Sequence, residues 1–162
     1  MKITSSATLP AGVEDAFGVI SDQDYQQAKV RAQAEDATAT VTEQAGGTLA
    51  VHSVRNVPTT GMPGPIVSMV GQTLTITEQQ TWRSAKDDGS RTADLELTVA
   101  GVPLSLVGTI TLSPTTTGAR LTVEADLSCS LPLFGKKVEE AAKPAIDESI
   151  DHEVTQLTAR LS

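Results

Sequence analysis

The sequence predicts an α+β fold in which a strongly curved antiparallel sheet folds around one long C-terminal helix. Between Ala37 and Leu127, apolar and polar residues alternate in short runs separated by glycine-centred turns, the pattern of half-buried strands. From Lys136 to Leu161 the apolar residues instead fall every three or four positions, which is helical spacing.

The elements follow in chain order. In Lys2 to Leu9, Ile3, Ala7 and Leu9 share parity and face one side of a strand, which Pro10 and Gly12 end. Val13, Phe17 and Ile20 then recur at helical intervals, with Glu14 and Asp15 in the first turn, where the helix dipole favours negative charge. Asp22 is placed to cap a second helix through Tyr25, Ala28 and Arg31. Ala37 to Thr42 alternates strictly, Gly46-Gly47 suits a primed hairpin turn, and Leu49 to Val54 returns as the next strand.

Further strands are expected around Leu74, Ile76 and Trp82; Leu95, Leu97 and Val99; Leu104, Leu106 and Ile110; and Leu121, Val123, Ala125 and Leu127. Asp88-Gly89, Gly101 and Thr117-Gly118 turn the chain between them. Connections this short imply an antiparallel meander with one apolar face and one threonine-rich wet face. In the tail, Val138, Ala142, Ile146, Ile150, Val154, Leu157 and Leu161 line one side of a helix roughly 40 Å long, at about 1.5 Å per residue. Pro144 lies inside it and is expected to bend it around the sheet.

The 162 residues have the length of one ordinary domain and are expected to form a single one spanning 1–162. The lone Cys129 has no internal disulfide partner. With neither a leader nor an apolar run near the ~18 residues of a membrane span, a cytoplasmic protein without stable membrane insertion is expected. The net charge of −8 repels phosphate backbones, and aromatics at 2% leave few stacking platforms, so nucleic acid is an unfavourable partner. Oligomeric state is not readable from the sequence.

Strand, two short helices, six strands and a long C-terminal helix is the element order of the START-like (SRPBCC) superfamily with its helix-grip fold. Pro10 before the first helix, Gly71 to Trp82, Gly101-Val102-Pro103 and the junction Leu131-Pro132-Leu133-Phe134-Gly135-Lys136-Lys137-Val138-Glu139 together resemble a START-like family of unknown function. The resemblance spans essentially the whole chain. It implies the fold, while the superfamily's lipid carriers, hormone receptors, polyketide cyclases and hydroxylase subunits leave the function open.

A sheet wrapped around one helix leaves space unless large side chains fill it, and two Phe, one Trp and one Tyr make a filled interior harder to build. A dry apolar void costs on the order of 24 cal/mol per Å³, several kcal/mol for about 300 Å³, which a ligand or ordered water would relieve. The competing reading is that Leu, Val and Ile pack the interior. The candidate ligand-lining residues are Phe17, Tyr25, Val51, Met69, Trp82, Leu95, Leu106 and Val123, with Ile146, Ile150 and Val154 from the helix. Between Val57 and Gly71, Pro65 is suited to open a short helix carrying Ile66, Val67, Met69 and Val70. By the resemblance this region lies near the cavity mouth; the competing reading is a loop whose apolar residues cap the core against the long helix.

The search for catalytic residues yields none. His152-Glu153 begins like a zinc-protease helix, but Gln156 stands where the second histidine is required. His52 has no partner at useful spacing, Cys129 reads as an inert thiol, and no metal-ligating cluster or cofactor motif is present. Three functions remain: binding of a hydrophobic small molecule or lipid, a cyclase- or dehydratase-type enzyme on a similar substrate, and an interaction domain with a packed core.

Overall fold

The computed structural model describes residues 1–162. Seven strands, β1 Lys2–Leu9, β2 Asp36–Glu43, β3 Leu49–Pro58, β4 Thr73–Trp82, β5 Arg91–Val99, β6 Val102–Pro114 and β7 Ala119–Cys129, form one antiparallel sheet in the order β1-β7-β6-β5-β4-β3-β2. The helices are α1 Val13–Ile20, α2 Gln23–Gln33, α3 Gly64–Val70 and α4 Gly135–Leu161. Every strand from β2 to β7 pairs with its successor, and β1 closes onto β7 with Ile3 opposite Ala125. The two edge strands are therefore consecutive in the chain, and α1 and α2 carry it from one edge to the other. The curved sheet around α4 is the α+β helix-grip arrangement.

Local chemistry sets the boundaries. The Asp22 carboxylate accepts from the Asp24 and Tyr25 backbone N–H groups at 2.7 and 3.1 Å, satisfying donors that the first turn of α2 leaves free. Helix α1 is tied to the sheet by Glu14, which accepts two 2.7 Å bonds from the Arg91 guanidinium.

The turn between β2 and β3 departs from the two-residue turn expected at Gly46-Gly47. Gln44 to Thr48 make a five-residue connection closed by Gln44 N–H donating to Thr48 O at 2.9 Å, with a 3₁₀ turn over Ala45–Gly47. Both glycines hold positive φ, 76° and 73°, which explains the pair without a primed turn.

Three apolar clusters stabilise the fold, one of them a small group of Val30, Ala34, Ala37 and Ala39 between α2 and β2, and the other two hold α4. The larger joins β1, β5, β6 and β7 to α1 and to Leu157 near the end of α4. The smaller joins Ile66 of α3 to Leu74, Val99, Val102 and Val138 near the start of α4. Helix α4 runs 27 residues through Pro144, yet only Gly135, Val138 and Leu157 are buried in it. Its fully buried residues lie near its two ends, while its middle, half-buried through Ala142, Ile146 and Ile150, spans a hollow.

Candidate functional site

The hollow lies between the two clusters, bounded by the inward face of β3 to β7, the β3–α3 loop, the end of α2 and the middle of α4. It encloses about 880 Å³, and 20 of its 30 lining residues are hydrophobic, so its wall is an apolar surface with a polar portion. Leu95, Leu97, Leu104, Leu106, Ile110 and Val123 form its floor on the sheet. Ala141, Ala142, Ala145, Ile146 and Ile150 form its roof on α4, where three alanines leave room that larger side chains would fill. Exposed Gly61, Pro63, Ala141 and Ala145 mark where it meets the surface.

Of the residues expected to line a cavity, Leu95, Leu106, Val123, Ile146 and Ile150 are on this wall. The other six are elsewhere. Phe17 and Trp82 stack edge to face with centroids 5.7 Å apart, and the Arg91 guanidinium sits 4.0 Å from the Phe17 centroid. Val51 is buried in the larger cluster beside β2, where its register partner is Val41. Tyr25 is buried against α4, with the Arg160 guanidinium 5.4 Å from its ring centroid. Val154 packs on the larger cluster near Leu157. Met69 points outward on α3 and is 39% exposed, while Met62 and Ile66 take the wall position expected for it. Strand parity identified the inward face, but the inward face serves a packed core at one end and a hollow at the other.

The polar portion of the wall is built from residues that apolar periodicity passes over. Leu74, Ile76, Glu78, Gln80 and Trp82 share parity on β4, so the same alternation that turns Leu74 inward also turns Glu78 and Gln80 inward. Trp82 Nε1 donates to Gln80 Oε1 at 3.0 Å, Gln80 Nε2 donates to Glu78 Oε1 at 2.8 Å, and Arg55 Nη2 donates to Glu78 Oε2 at 3.2 Å. Arg55, 7% exposed on β3, also donates from Nη1 to Gln33 Oε1 of α2, which accepts from Ser149 Oγ of α4 at 3.4 Å. Beside this chain, buried Lys29 pairs with Glu153 at 3.2 Å. Burial of Glu78 opposes its ionisation, but the Lys29 and Arg55 charges and the Gln80 hydrogen bond outweigh it and hold the carboxyl below its usual value.

His152 and Glu153, which resemble an incomplete zinc motif in sequence, also lie on the cavity wall. No group of three His, Cys, Asp or Glu side chains comes together to hold a metal. His52 is exposed, and Cys129 is half-buried beside the smaller cluster. Asp147 pairs with Lys143 at 2.5 Å on the outer side of α4. No helix is long and apolar enough to cross a membrane.

Comparison with known proteins agrees with this architecture. Residues 4–161 match a family described as "Protein of unknown function (DUF2505)", and the chain belongs to that family. It is 25% identical over 142 residues, 83% of this chain and 81% of the relative, to "Uncharacterized protein Rv0481c" of Mycobacterium tuberculosis (strain ATCC 25618 / H37Rv). Among solved structures it is similar to a STAR-related lipid transfer protein from Xanthomonas axonopodis, with 16% identity and a TM-score of 0.62 over 99% of this chain and 85% of that one. It is also similar to the Zhui aromatase/cyclase from Streptomyces sp. R1128, with 10% identity and a TM-score of 0.61 over 99% and 93% of the two chains. At such identities the likeness is one of fold, and the fold is START-like.

Proposed function

We propose that this protein binds a hydrophobic small molecule, of lipid-like character, in the hollow between the sheet and α4. The observation that carries the reading is the hollow itself: about 880 Å³ of mostly apolar wall beneath a helix whose fully buried residues lie only near its two ends. Displacing water from such a surface is worth about 25 cal/mol per Å² of apolar area, and a cavity already formed requires little reorganisation to accept its ligand. The lipid-transfer neighbour of the same fold is consistent with this use.

The chemistry of the wall favours binding over catalysis. Glu78 is ion-paired and held below the usual carboxyl range, whereas a general base is most effective with a pKa near the working pH. Native mass spectrometry of the purified protein, beside its denatured mass and a solvent extract, tests the reading. A stoichiometric extra mass released on denaturation is the expected result. A bare mass, together with no uptake of the neutral apolar dye Nile red, would overturn it.

A further inference from the structure

We infer that the cavity selects an amphiphile with a neutral, oxygen-bearing head (an alcohol, ketone or amide) and places that head against Arg55, Glu78 and Gln33. The inference rests on the proposed binding function and narrows its ligand class. Arg55 is more than nine-tenths buried on the cavity wall, and of its five N–H donors only two are bonded within the protein, one on each Nη, to Glu78 and Gln33. Its Nε–H is a buried donor with no partner in the protein. An orphaned buried donor on a charged group is costly, and an acceptor oxygen brought by a ligand is the group that would satisfy it. In an otherwise apolar cavity this fixes which end of the ligand approaches β3.

Charge decides between the possible heads. Arg55 and Lys29 supply two cations here, against the carboxylates of Glu78 and Glu153, each already paired with one of them. Glu148, exposed at the cavity edge, adds a third carboxylate, so these side chains, with Lys29 just behind the wall, sum to a net −1, and His152 is the remaining titratable side chain on the wall. A carboxylate or phosphate head would enter against that excess, with Arg55 and Lys29 already paired to Glu78 and Glu153. A quaternary ammonium head suits the excess charge but has no acceptor for Arg55. A hydroxyl, carbonyl or amide oxygen adds no charge and accepts a hydrogen bond from the guanidinium, while a hydroxyl or amide N–H can also donate to Glu78 or Gln33.

The test is displacement of Nile red from the unmodified protein near neutral pH by decanol, decanamide, decanoate, decyl phosphate and decyltrimethylammonium, which share one tail. Decanol and decanamide are expected to displace the dye about tenfold or more better than the charged probes, the span of one hydrogen bond to a charged group. In the double variant Arg55→Met/Glu78→Met, where apolar side chains replace the whole pair, decanol should lose that advantage over the charged probes, each measured against Nile red on the same variant. A charged probe that binds as tightly as decanol, or decanol affinity untouched in a folded double variant, would overturn the head-group assignment and leave the cavity reading standing. No Nile red uptake at all would overturn both. The head-group comparison needs no variant, so it stands whether or not the double variant folds.

Discussion

Glu78 sits inside the sheet beside Arg55, where burial raises its pKa but the Lys29 and Arg55 charges and the Gln80 hydrogen bond together outweigh that and hold it below its usual value. A carboxyl whose pKa is lower folded than unfolded adds stability at pH values above its unfolded value, and that contribution is lost as pH falls through the folded value. The unfolded reference is 4.5, so the loss is confined to pH below about 4.5. Urea unfolding followed from neutral pH to pH 3 should show this acid limb, and Glu78→Gln should flatten it. Tyr25 has the opposite sign. Burial, helped by the Glu153 charge, pushes its phenol well above the ordinary value of 10.0, and its hydroxyl has no partner in the protein. The contribution from keeping it neutral is complete below pH 10 and declines at more alkaline pH, where the unfolded chain ionises first. Tyr25→Phe removes a buried polar group without a bond and keeps the ring beside Arg160. It should raise stability by about 1 kcal/mol in a thermal melt and abolish that alkaline decline.

At the scale of elements, two backbone features carry testable costs. Pro144 is exposed within α4, and its ring leaves the Glu140 carbonyl without its usual helical donor. A proline inside a helix costs about 3 kcal/mol, partly offset by about 0.4–1 kcal/mol from a stiffer unfolded chain. Pro144→Ala should therefore stabilise the protein by roughly 2 kcal/mol in chemical denaturation, and a loss instead would mean that the proline bend fits α4 to the sheet. Gly108 lies near the middle of β6, where a Cβ would meet Glu124 O at 2.1 Å and Ala125 Cα at 2.4 Å. That close approach to β7 admits only glycine, so Gly108→Ala should cost about 2 kcal/mol or more, read as a lowered denaturation midpoint.

The strands and α4 were legible because each carries a run of apolar residues at one period, as Leu121, Val123, Ala125 and Leu127 do. Helix α2 was legible only in part. Its buried face is Tyr25, Gln26, Lys29 and Val30, whereas Ala28 and Arg31 of the expected stripe are exposed. Gln26 donates to Ile20 O at 2.7 Å and Lys29 pairs with Glu153, so a satisfied polar side chain occupies a place that hydropathy reserves for an apolar one. The same blindness hid the polar wall of the cavity. Glu78 and Gln80 stand in register between Ile76 and Trp82, and Arg55 follows Val51 and Ser53 in parity, so reading parity irrespective of polarity would have found all three.

For the whole molecule, the placement of the four aromatic residues explains why space is left. Phe17, Tyr25 and Trp82 gather in or against the larger cluster, Phe134 is 41% exposed before α4, and none lines the cavity. The bulky side chains thus close one end of the helix-grip fold, a smaller aliphatic cluster closes the other, and leucine, valine, isoleucine and alanine line what lies between. A ligand that fills this space contacts the middle of α4 and the sheet at once, adding to the half-buried contacts that Ala142, Ile146 and Ile150 make there. It binds the folded chain alone, so it stabilises that state by about 2.7 kcal/mol when its free concentration is a hundred times Kd. For a chain of this size each kcal/mol moves the midpoint by roughly 2–4 °C, so a saturating neutral amphiphile such as decanol should raise Tm by about 5–10 °C, increasing with concentration. A rise that also occurs when the hollow is narrowed by Ala145→Leu would place binding outside it, whereas a rise abolished by that substitution, with Tm otherwise kept, locates the ligand beneath α4.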